Sequence, residues 1–410
     1  MDTTPLSPYR PGFGARPLVV AGREQLLRET KHAMVAMTSF NQPHVAPIVL
    51  VGPRGMGKTV SLGLIEEQAR DHGFATASLS FVASGRNNTQ QLATSVAESL
   101  EDGLDAERPL MKKLAHYLAG FSIEISTGFV TVTKEFQDGD HRPMGLAETL
   151  ETATAAHVEN GKAGFVLLID ELHTGSPADI NMLYMAAQHM IQRSKHPVAI
   201  IAAGTPDTPV IIGASGSSFG ERSQFLPVSS LDTGAALEAL VETARRVGVS
   251  WSREAIDLTL SAAQGNPWRI QQLGDASWRA AEELDAPLAS GSTITITMAS
   301  RGVESVAKSL EQGSFPSRWR NASPAEREYL TAMAQVMGPD YIAQVRDLNA
   351  LLGKTAQDTS ELRRRLINKG LIASPQRGAL RFTAPGFDRY LLELHDLTRL
   401  SAAEIAALHE

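Results

Sequence analysis

Residues 52–59 read GPRGMGKT, and no other stretch restricts the fold of this chain so tightly. They spell G-x-x-x-x-G-K-T directly after the apolar run PIVLV (47–51), and they lead into TVSLGLIEEQAR (59–70), which carries helical apolar spacing. A buried strand that turns through glycines into a helix is the setting in which this spacing builds a phosphate-binding loop. Gly52, Gly55 and Gly57 admit backbone conformations closed to other residues and let N–H groups approach an anion. The following helix aims the positive end of its dipole at the same point. The candidate binding segment is therefore Gly52, Pro53, Arg54, Gly55, Met56, Gly57, Lys58 and Thr59, with Val60 in the first helical turn. Lys58 is placed to reach the β- and γ-phosphates of a nucleoside triphosphate, and Thr59 to offer its hydroxyl to Mg²⁺.

At 410 residues the chain has room for two or three domains, and 43% hydrophobic residues suffice for their cores. A net charge of −7 means that any nucleic-acid contact must come from a local basic patch. The absence of cysteine excludes disulfides, thiolate zinc sites and cysteine nucleophiles. The first residues, MDTTPLSPYRPGFGARP, hold no apolar core of signal-peptide length. FVLLI (165–169) and VAIIAA (198–203) are too short to span a bilayer. The expectation is a soluble cytoplasmic protein without a membrane partner.

Over 45–230 apolar runs alternate with helical patterns: strands near 47–51, 75–81, 164–169, 198–203 and 225–228, and helices near 57–72, 88–101, 145–160 and 176–194. This rhythm predicts an α/β fold with a parallel sheet covered on both faces. FSIEISTGFVTVTKEF (121–136) breaks it, alternating at period two around a Ser-Thr-Gly turn, and reads as an inserted β-hairpin. From 231 onward the strands stop. Residues 236–248, 253–265, 267–284 and 299–311 carry helical periodicity, and 311–322 reads as a linker. In the last ninety residues a capping box, Ser323 to Glu326 with Pro324 at the first helical position, opens one helix. Helices over 340–352 and 358–370 follow, then two short strands within 371–383 around Gln376-Arg377-Gly378. Three helices and a two-stranded ribbon follow the order of a winged helix-turn-helix. The domains expected are thus 1–230, 231–312 and 313–410.

FVLLIDELH (165–173) is the natural partner of the loop, about 110 residues downstream of it. Its strand ends in Asp170-Glu171, so both carboxylates emerge at the carboxyl edge of the sheet, where open α/β folds bind ligands. Asp170 suits the Mg²⁺ shell and Glu171 suits a general base that polarises the attacking water. Thr205, in the turn after strand 198–203, is placed to contact the γ-phosphate or that water. Arg222, just before the last short strand, suits either a finger towards a neighbouring subunit's nucleotide or a solvated structural arginine.

Taken together, the loop, IDE, AAGTP, the arginine before the last strand and GNPWR (265–269) resemble an AAA+ ATPase. The resemblance implies that the chain binds and hydrolyses ATP with Mg²⁺, and that Arg269 acts as the lid-domain arginine that reaches back to the γ-phosphate. PLVVAGREQLL (17–27) is similar to the Gly-Arg-Glu segment of the origin-recognition and initiator-like branch, which lines the adenine pocket and implicates Arg23. The winged helix matches the same branch, and assembly into a homo-oligomer on ATP binding is common in the superfamily. The hairpin at 121–136 is not part of the minimal AAA+ core, and the residue in the Thr205 position departs from the commoner pattern.

On the helix over 358–370, Leu362, Leu366 and Ile367 share an inward face, while Glu361, Arg364, Arg365 and Asn368 lie opposite. Between 358 and 392 seven Lys/Arg stand against three acids. A locally basic helix and wing suit contacts to double-stranded DNA, with Arg364, Arg365, Asn368 and Arg377 as the candidates. The alternative is a signalling or defence-type regulatory ATPase whose winged helix binds protein partners. The scattered histidines show no metal-ligand spacing.

Overall fold

The computed structural model describes residues 6–12, 14–83, 88–100, 109–119, 121, 123–126, 129–132, 143–216 and 218–409. They divide into two compact units. An α/β unit comprises residues 23–52 and 58–228, and a helical unit comprises 1–22, 53–57 and 229–410.

The α/β unit opens with helix α1 (Glu24–Phe40) and strand β1 (Ile48–Val51). Helix α2 (Lys58–Asp71), strand β2 (Ala75–Ser80) and helices α3 (Asn88–Glu98) and α4 (Pro109–Ala119) follow. Strands β3 (Ile123–Ser126) and β4 (Phe129–Val132) pair antiparallel, with Ile123 opposite Val132 and Ser126 opposite Phe129, which is the expected hairpin. Its predicted end, 133–136, lies outside the described residues. Next come α5 (Pro143–Glu159), β5 (Phe165–Asp170), α6 (Pro177–Arg193), β6 (Val198–Gly204), α7 (Thr208–Ser215) and β7 (Gln224–Pro227).

Five strands form one parallel sheet in the order β2-β5-β6-β1-β7. β6 is buried along its whole length, and β5 as far as Ile169, with no alternation, as a sheet covered on both faces requires. β6 lies between β1 and β5, so the chain changes direction across the sheet beside β1. Such a switch point is where open α/β sheets leave a crevice at their carboxyl edge. Ser176 caps α6 reciprocally: its hydroxyl accepts from Asp179 N, and the Asp179 carboxylate accepts from Ser176 N. Helix α4 lies in the insertion that carries the hairpin, and it buries Leu114 and Leu118 in the same core as Leu146 and Leu150 of α5.

In the helical unit the first elements are α8 (Thr233–Arg245), β8 (Ser250–Trp251), α9 (Arg253–Ala263), α10 (Pro267–Glu283), β9 (Thr293–Ile294) and α11 (Ile296–Gln312). α10 and α11 approach closely at Gly302, where a Cβ would stand 2.6 Å from Ser277 N. The amino-terminal segment belongs here too. Tyr9 donates its hydroxyl to Leu240 O at 2.7 Å and accepts from Trp251 Nε1 at 2.8 Å, and its burial raises the phenol's pKa.

Residues 311–322, expected as a linker, instead contain helix α12 (Ser314–Arg320). The reason is an aromatic cluster: buried Phe315 sits 5.3 Å from the Phe387 ring and 5.4 Å from Tyr390. The chain continues through α13 (Pro324–Gln335), β10 (Ala343–Gln344), α14 (Val345–Leu352), α15 (Ser360–Asn368), β11 (Ile372–Ala373) and β12 (Ala379–Phe382). It ends with α16 (Phe387–Leu394) and α17 (Ala402–Ala407), which the sequence patterns do not announce. The Ser323–Glu326 capping box forms as expected. β10, β12 and β11 make a small antiparallel sheet, an element order consistent with a winged helix. One continuous core runs from Leu240 and Trp278 to Tyr329, Leu366 and Phe387.

Because Phe315 bridges the α11 end of this core to α16, Phe315→Ala should cost about 3–5 kcal/mol of stability. Urea denaturation followed by tryptophan fluorescence measures it; a loss below about 1 kcal/mol would mean that α12 is held by other contacts.

Candidate nucleotide site and C-terminal basic face

The sheet order decides which side chains meet. β1 runs into the glycine loop, β5 delivers Asp170, and β6, paired with both, delivers Gly204 and Thr205. Gly55 and Gly57 hold φ of 81° and 83°, the left-handed region in which a side chain is strained. Gly52 is required for a different reason. A Cβ there would stand 2.0 Å from the carbonyl oxygen of Val228. Loop residues 53–57 fall in the helical unit, where the Asn266 amide lies 3.4 Å from the position a Gly55 Cβ would take.

Lys58 is buried, and its ammonium donates to the Gly52 carbonyl at 2.9 Å. Its neighbour Thr59 donates its hydroxyl to Asp170 Oδ2 at 2.6 Å, across 111 residues of chain. The other Asp170 oxygen accepts the Glu171 N–H at 2.8 Å. Glu171 itself adopts φ 52° and ψ 34°, a left-handed conformation that is uncommon for a non-glycine residue. Strain of this kind persists where the surroundings over-determine it, and it clusters at active sites. The turn ends the strand and puts Glu171 Oε2 3.4 Å from His173 Nε2. Thr205 is buried, and its hydroxyl donates to Asp207. Within the α/β unit, Gly52, Lys58, Thr59, Asp170, Glu171 and Thr205 thus lie along the carboxyl edge of strands that pair with one another.

The remaining candidates have separate surroundings. Arg23 flanks the start of α1, half-buried, and burial lowers its pKa against the opposing influence of Glu24. Arg222 is exposed and lines a cavity of about 410 Å³ in the α/β unit together with Tyr184 and Phe219. Met56 is buried, Arg54 exposed, and Pro53 and Val60 intermediate. In the helical unit, Asn266 caps α10 by accepting from Arg269 N at 3.0 Å, and Pro267 takes the first turn. This cap holds Arg269 inward, 3% exposed. Its guanidinium donates to Gln272 Oε1 at 3.0 Å and to Pro385 O at 3.4 Å. Burial first, and then the neighbouring Arg318 cation, lower its pKa to about 10.

At the other end of that unit Leu362 and Leu366 are buried, as their spacing requires, and Arg364, Arg365 and Arg377 are exposed. Asn368, expected on the outer face, is only half-exposed, because α15 ends there and its last turn leans on the strand that follows. Spacing also left out the ionic partners. Glu361 binds Arg364 at 2.7 Å and stands 3.8 Å from Arg365, while Lys369 meets the buried Glu326 at 2.6 Å. Arg381, on the wing, turns to donate to Ser230 at 2.8 Å. Asp207 was legible as an Asp two residues after Thr205, but Pro385, 116 residues from Arg269, has no local signal.

Comparison with known proteins agrees with this geometry. Residues 19–201 match the AAA ATPase domain family, and residues 312–391 match a domain of unknown function, DUF8462. No curated protein matches the chain. The chain carries an AAA+ P-loop domain and is an ATP-hydrolysing enzyme. Among solved structures it is similar to the Walker-type ATPase PABY2304 of Pyrococcus abyssi, at 16% identity, covering 92% of this chain and 97% of that one with a TM-score of 0.57. It is also similar to the Aeropyrum pernix ORC2 protein in its ADPNP–ADP complexes, at 14% identity, 97% coverage of both chains and a TM-score of 0.59. The likeness to both is one of fold. Among the described residues no helix is long and apolar enough to cross a membrane, and no group of acidic, histidine or cysteine side chains could by itself hold a metal ion.

The Gly52 geometry makes a direct prediction. Gly52→Ala should lower stability by at least about 1–3 kcal/mol, because the methyl group overlaps the Val228 carbonyl between β1 and β7. Thermal unfolding of the purified variant checks it, and a wild-type melting temperature would contradict the close approach.

Proposed function

We propose that the chain is an ATP-driven molecular switch whose hydrolysis cycle controls a C-terminal winged helix that engages double-stranded DNA. The observation that carries the reading is the Thr59–Asp170 hydrogen bond beside the buried Lys58, at the carboxyl edge of a parallel sheet. A hydroxyl and a carboxylate are the hard oxygen donors that Mg²⁺ favours, so Thr59 and Asp170 fit that ion. When bound, it would offset charge on the β- and γ-phosphate oxygens. Gly52 to Val60 hold the phosphates, Lys58 adds its charge, and Arg23 borders the adenine. Glu171, held apart from the strand by its left-handed backbone, takes the proton of the attacking water. Thr205 orients that water or the γ-phosphate. Arg269 answers to the γ-phosphate from the lid, and the exposed Arg222 to the nucleotide of a neighbouring copy in an ATP-dependent homo-oligomer. The parts served are the core (1–230), the lid (231–312) and the winged helix (313–410), in a cytoplasmic protein.

Glu171→Gln should keep ATP bound while slowing hydrolysis by about 10²–10⁴-fold. Lys58→Ala should instead weaken ATP binding while the nucleotide-free protein still folds cooperatively. Equilibrium binding of a fluorescent ATP analogue and a phosphate-release assay separate the two; equal ATP affinity in Lys58→Ala and wild type would remove the loop from the site.

What supports DNA binding is the exposure of Arg364, Arg365 and Arg377 on one helix and its wing. A second reading, a regulatory ATPase whose winged helix docks on protein, is favoured by a specific observation: Glu361, Glu326 and Ser230 already engage Arg364, Arg365, Lys369 and Arg381. Exposed pairs of this kind contribute only about 0–1 kcal/mol, so phosphates can displace Glu361, but its charge opposes them. On the DNA reading Glu361→Gln should tighten duplex binding, and Arg364→Ala with Arg365→Ala should weaken it. Each lost phosphate contact reduces the salt slope by about one unit. Fluorescence anisotropy at several salt concentrations measures both, and no duplex affinity at low salt in the ATP-bound protein would hand the winged helix to the protein-partner reading.

A further inference from the structure

Beyond Asp170 and Glu171 the chain makes a tightly held turn before α6 begins. The Glu171 carbonyl accepts both the N–H and the hydroxyl of Thr174, at 2.8 and 2.9 Å, and Gly175 N donates to Leu172 O at 3.1 Å. Gly175 is closed in as well, since a Cβ there would stand 2.7 Å from the ring of the buried Phe81. Leu172 is buried, and the capping box at Ser176 opens α6 at once. Residues 171–176 therefore form a fixed platform, and His173 is the one titratable side chain it carries besides Glu171.

The His173 side chain is 12% exposed against 33% for Glu171, so the histidine is the more fixed of the two. Its Nε2 stands 3.4 Å from Glu171 Oε2. Catalytic hydrogen bonds are often this long in an enzyme without substrate, and they tighten when substrate binds. A carboxylate beside an imidazole nitrogen selects the tautomer that carries its proton there. His173 Nε2 is then a donor with no lone pair to offer a water, which excludes it as a second base. What it can do is set a direction. A glutamate has several side-chain rotamers, and holding it in one costs entropy that a preset partner meets before ATP arrives. Alignment matters, because a misplacement of about 1 Å can cost about 10²-fold in rate.

We propose that His173 is a positioning residue for ATP hydrolysis: its Nε2–H holds Glu171 Oε2, so that Oε1 faces the attacking water. The inference rests on the reading of Glu171 as the base. In the step itself the water oxygen bonds to the γ-phosphorus. The bond from that phosphorus to the β,γ-bridging oxygen breaks, its electron pair leaves with ADP, and the water's proton passes to Glu171 Oε1. His173 neither gains nor loses a proton.

The test measures steady-state ATP hydrolysis and equilibrium binding of a fluorescent ATP analogue, both with the full-length protein. His173→Phe keeps a ring and removes the donor. Its kcat should fall about tenfold, while KM and ATP affinity stay within about twofold of wild type. His173→Gln, whose amide N–H can reach the place of Nε2, should regain most of that loss. In a Glu171→Gln background His173→Phe should cost less than about a further twofold, because the group it orients no longer takes the proton. His173→Ala replaces the phenylalanine variant if that one does not fold. If Glu171→Gln slows hydrolysis, four results would each overturn the positioning role and leave Glu171 as the base. They are a wild-type kcat without His173, a raised KM with unchanged kcat, no rescue by glutamine, and an undiminished loss in the Glu171→Gln background. A Glu171→Gln protein that hydrolyses ATP at the wild-type rate overturns both readings.

Discussion

The hydrogen bond between Thr59 and Asp170 is the interaction on which the rest of the catalytic unit depends. It joins the first turn of α2 to the tip of β5, and it can form only because β6 lies between β1 and β5 and holds both in register. Val51 stands level with Gly204, and Ile169 with Ala202, so the three carboxyl ends finish within a residue or two of one another. A sheet with sequential strand order would have taken Asp170 away from the loop. The loop then needs Gly52 where the chain leaves β1, because the Val228 carbonyl occupies the space of a side chain.

The same edge stores backbone strain at one residue. Glu171 accepts a left-handed conformation that a β-strand would never impose, and its N–H is held by the Asp170 carboxylate beside it. The two acids, adjacent in sequence, are thereby given different surroundings. Asp170 is bound through both oxygens to Thr59 and to the backbone, while the Glu171 carboxylate stands 3.4 Å from His173.

Charge in the helical unit is handled in two opposite ways. On α15 the arginines are exposed and their carboxylate partner is close by, so pairing is weak and exchangeable. At Arg269 the cation is buried and the two groups that its terminal nitrogens bond are neutral. The first arrangement leaves a surface open to phosphates or to acidic protein side chains. The second keeps a cation out of water on neutral hydrogen-bond partners alone. A chain of net charge −7 has carboxylates to spare, so the neutrality of those partners is a property of this site and not of composition.

Much of the architecture was legible in the sequence, because its signals are local. The five parallel strands and helices α2, α3, α5 and α6 follow from apolar runs and helical spacing, and the box at Ser323 that opens α13 follows from capping chemistry. The loop residues, Asp170 and Glu171 were recognisable because glycines, a lysine and a strand-ending acid pair carry their chemistry within a few positions. What escaped was long-range. Helix α12 exists because Phe315 finds Phe387, some seventy residues away, and α16 had no periodic pattern strong enough to announce it. Local spacing put Arg269 at a helix start but could not reveal the Pro385 carbonyl that holds it, nor show Glu361 bound to Arg364 and beside Arg365. The sequence alone determined the phosphate loop, the parallel sheet and the order of elements, since backbone sterics and side-chain periodicity act over a few residues. Only the tertiary structure decided strand order and the burial of Arg269, because these depend on which distant surfaces come together to exclude water.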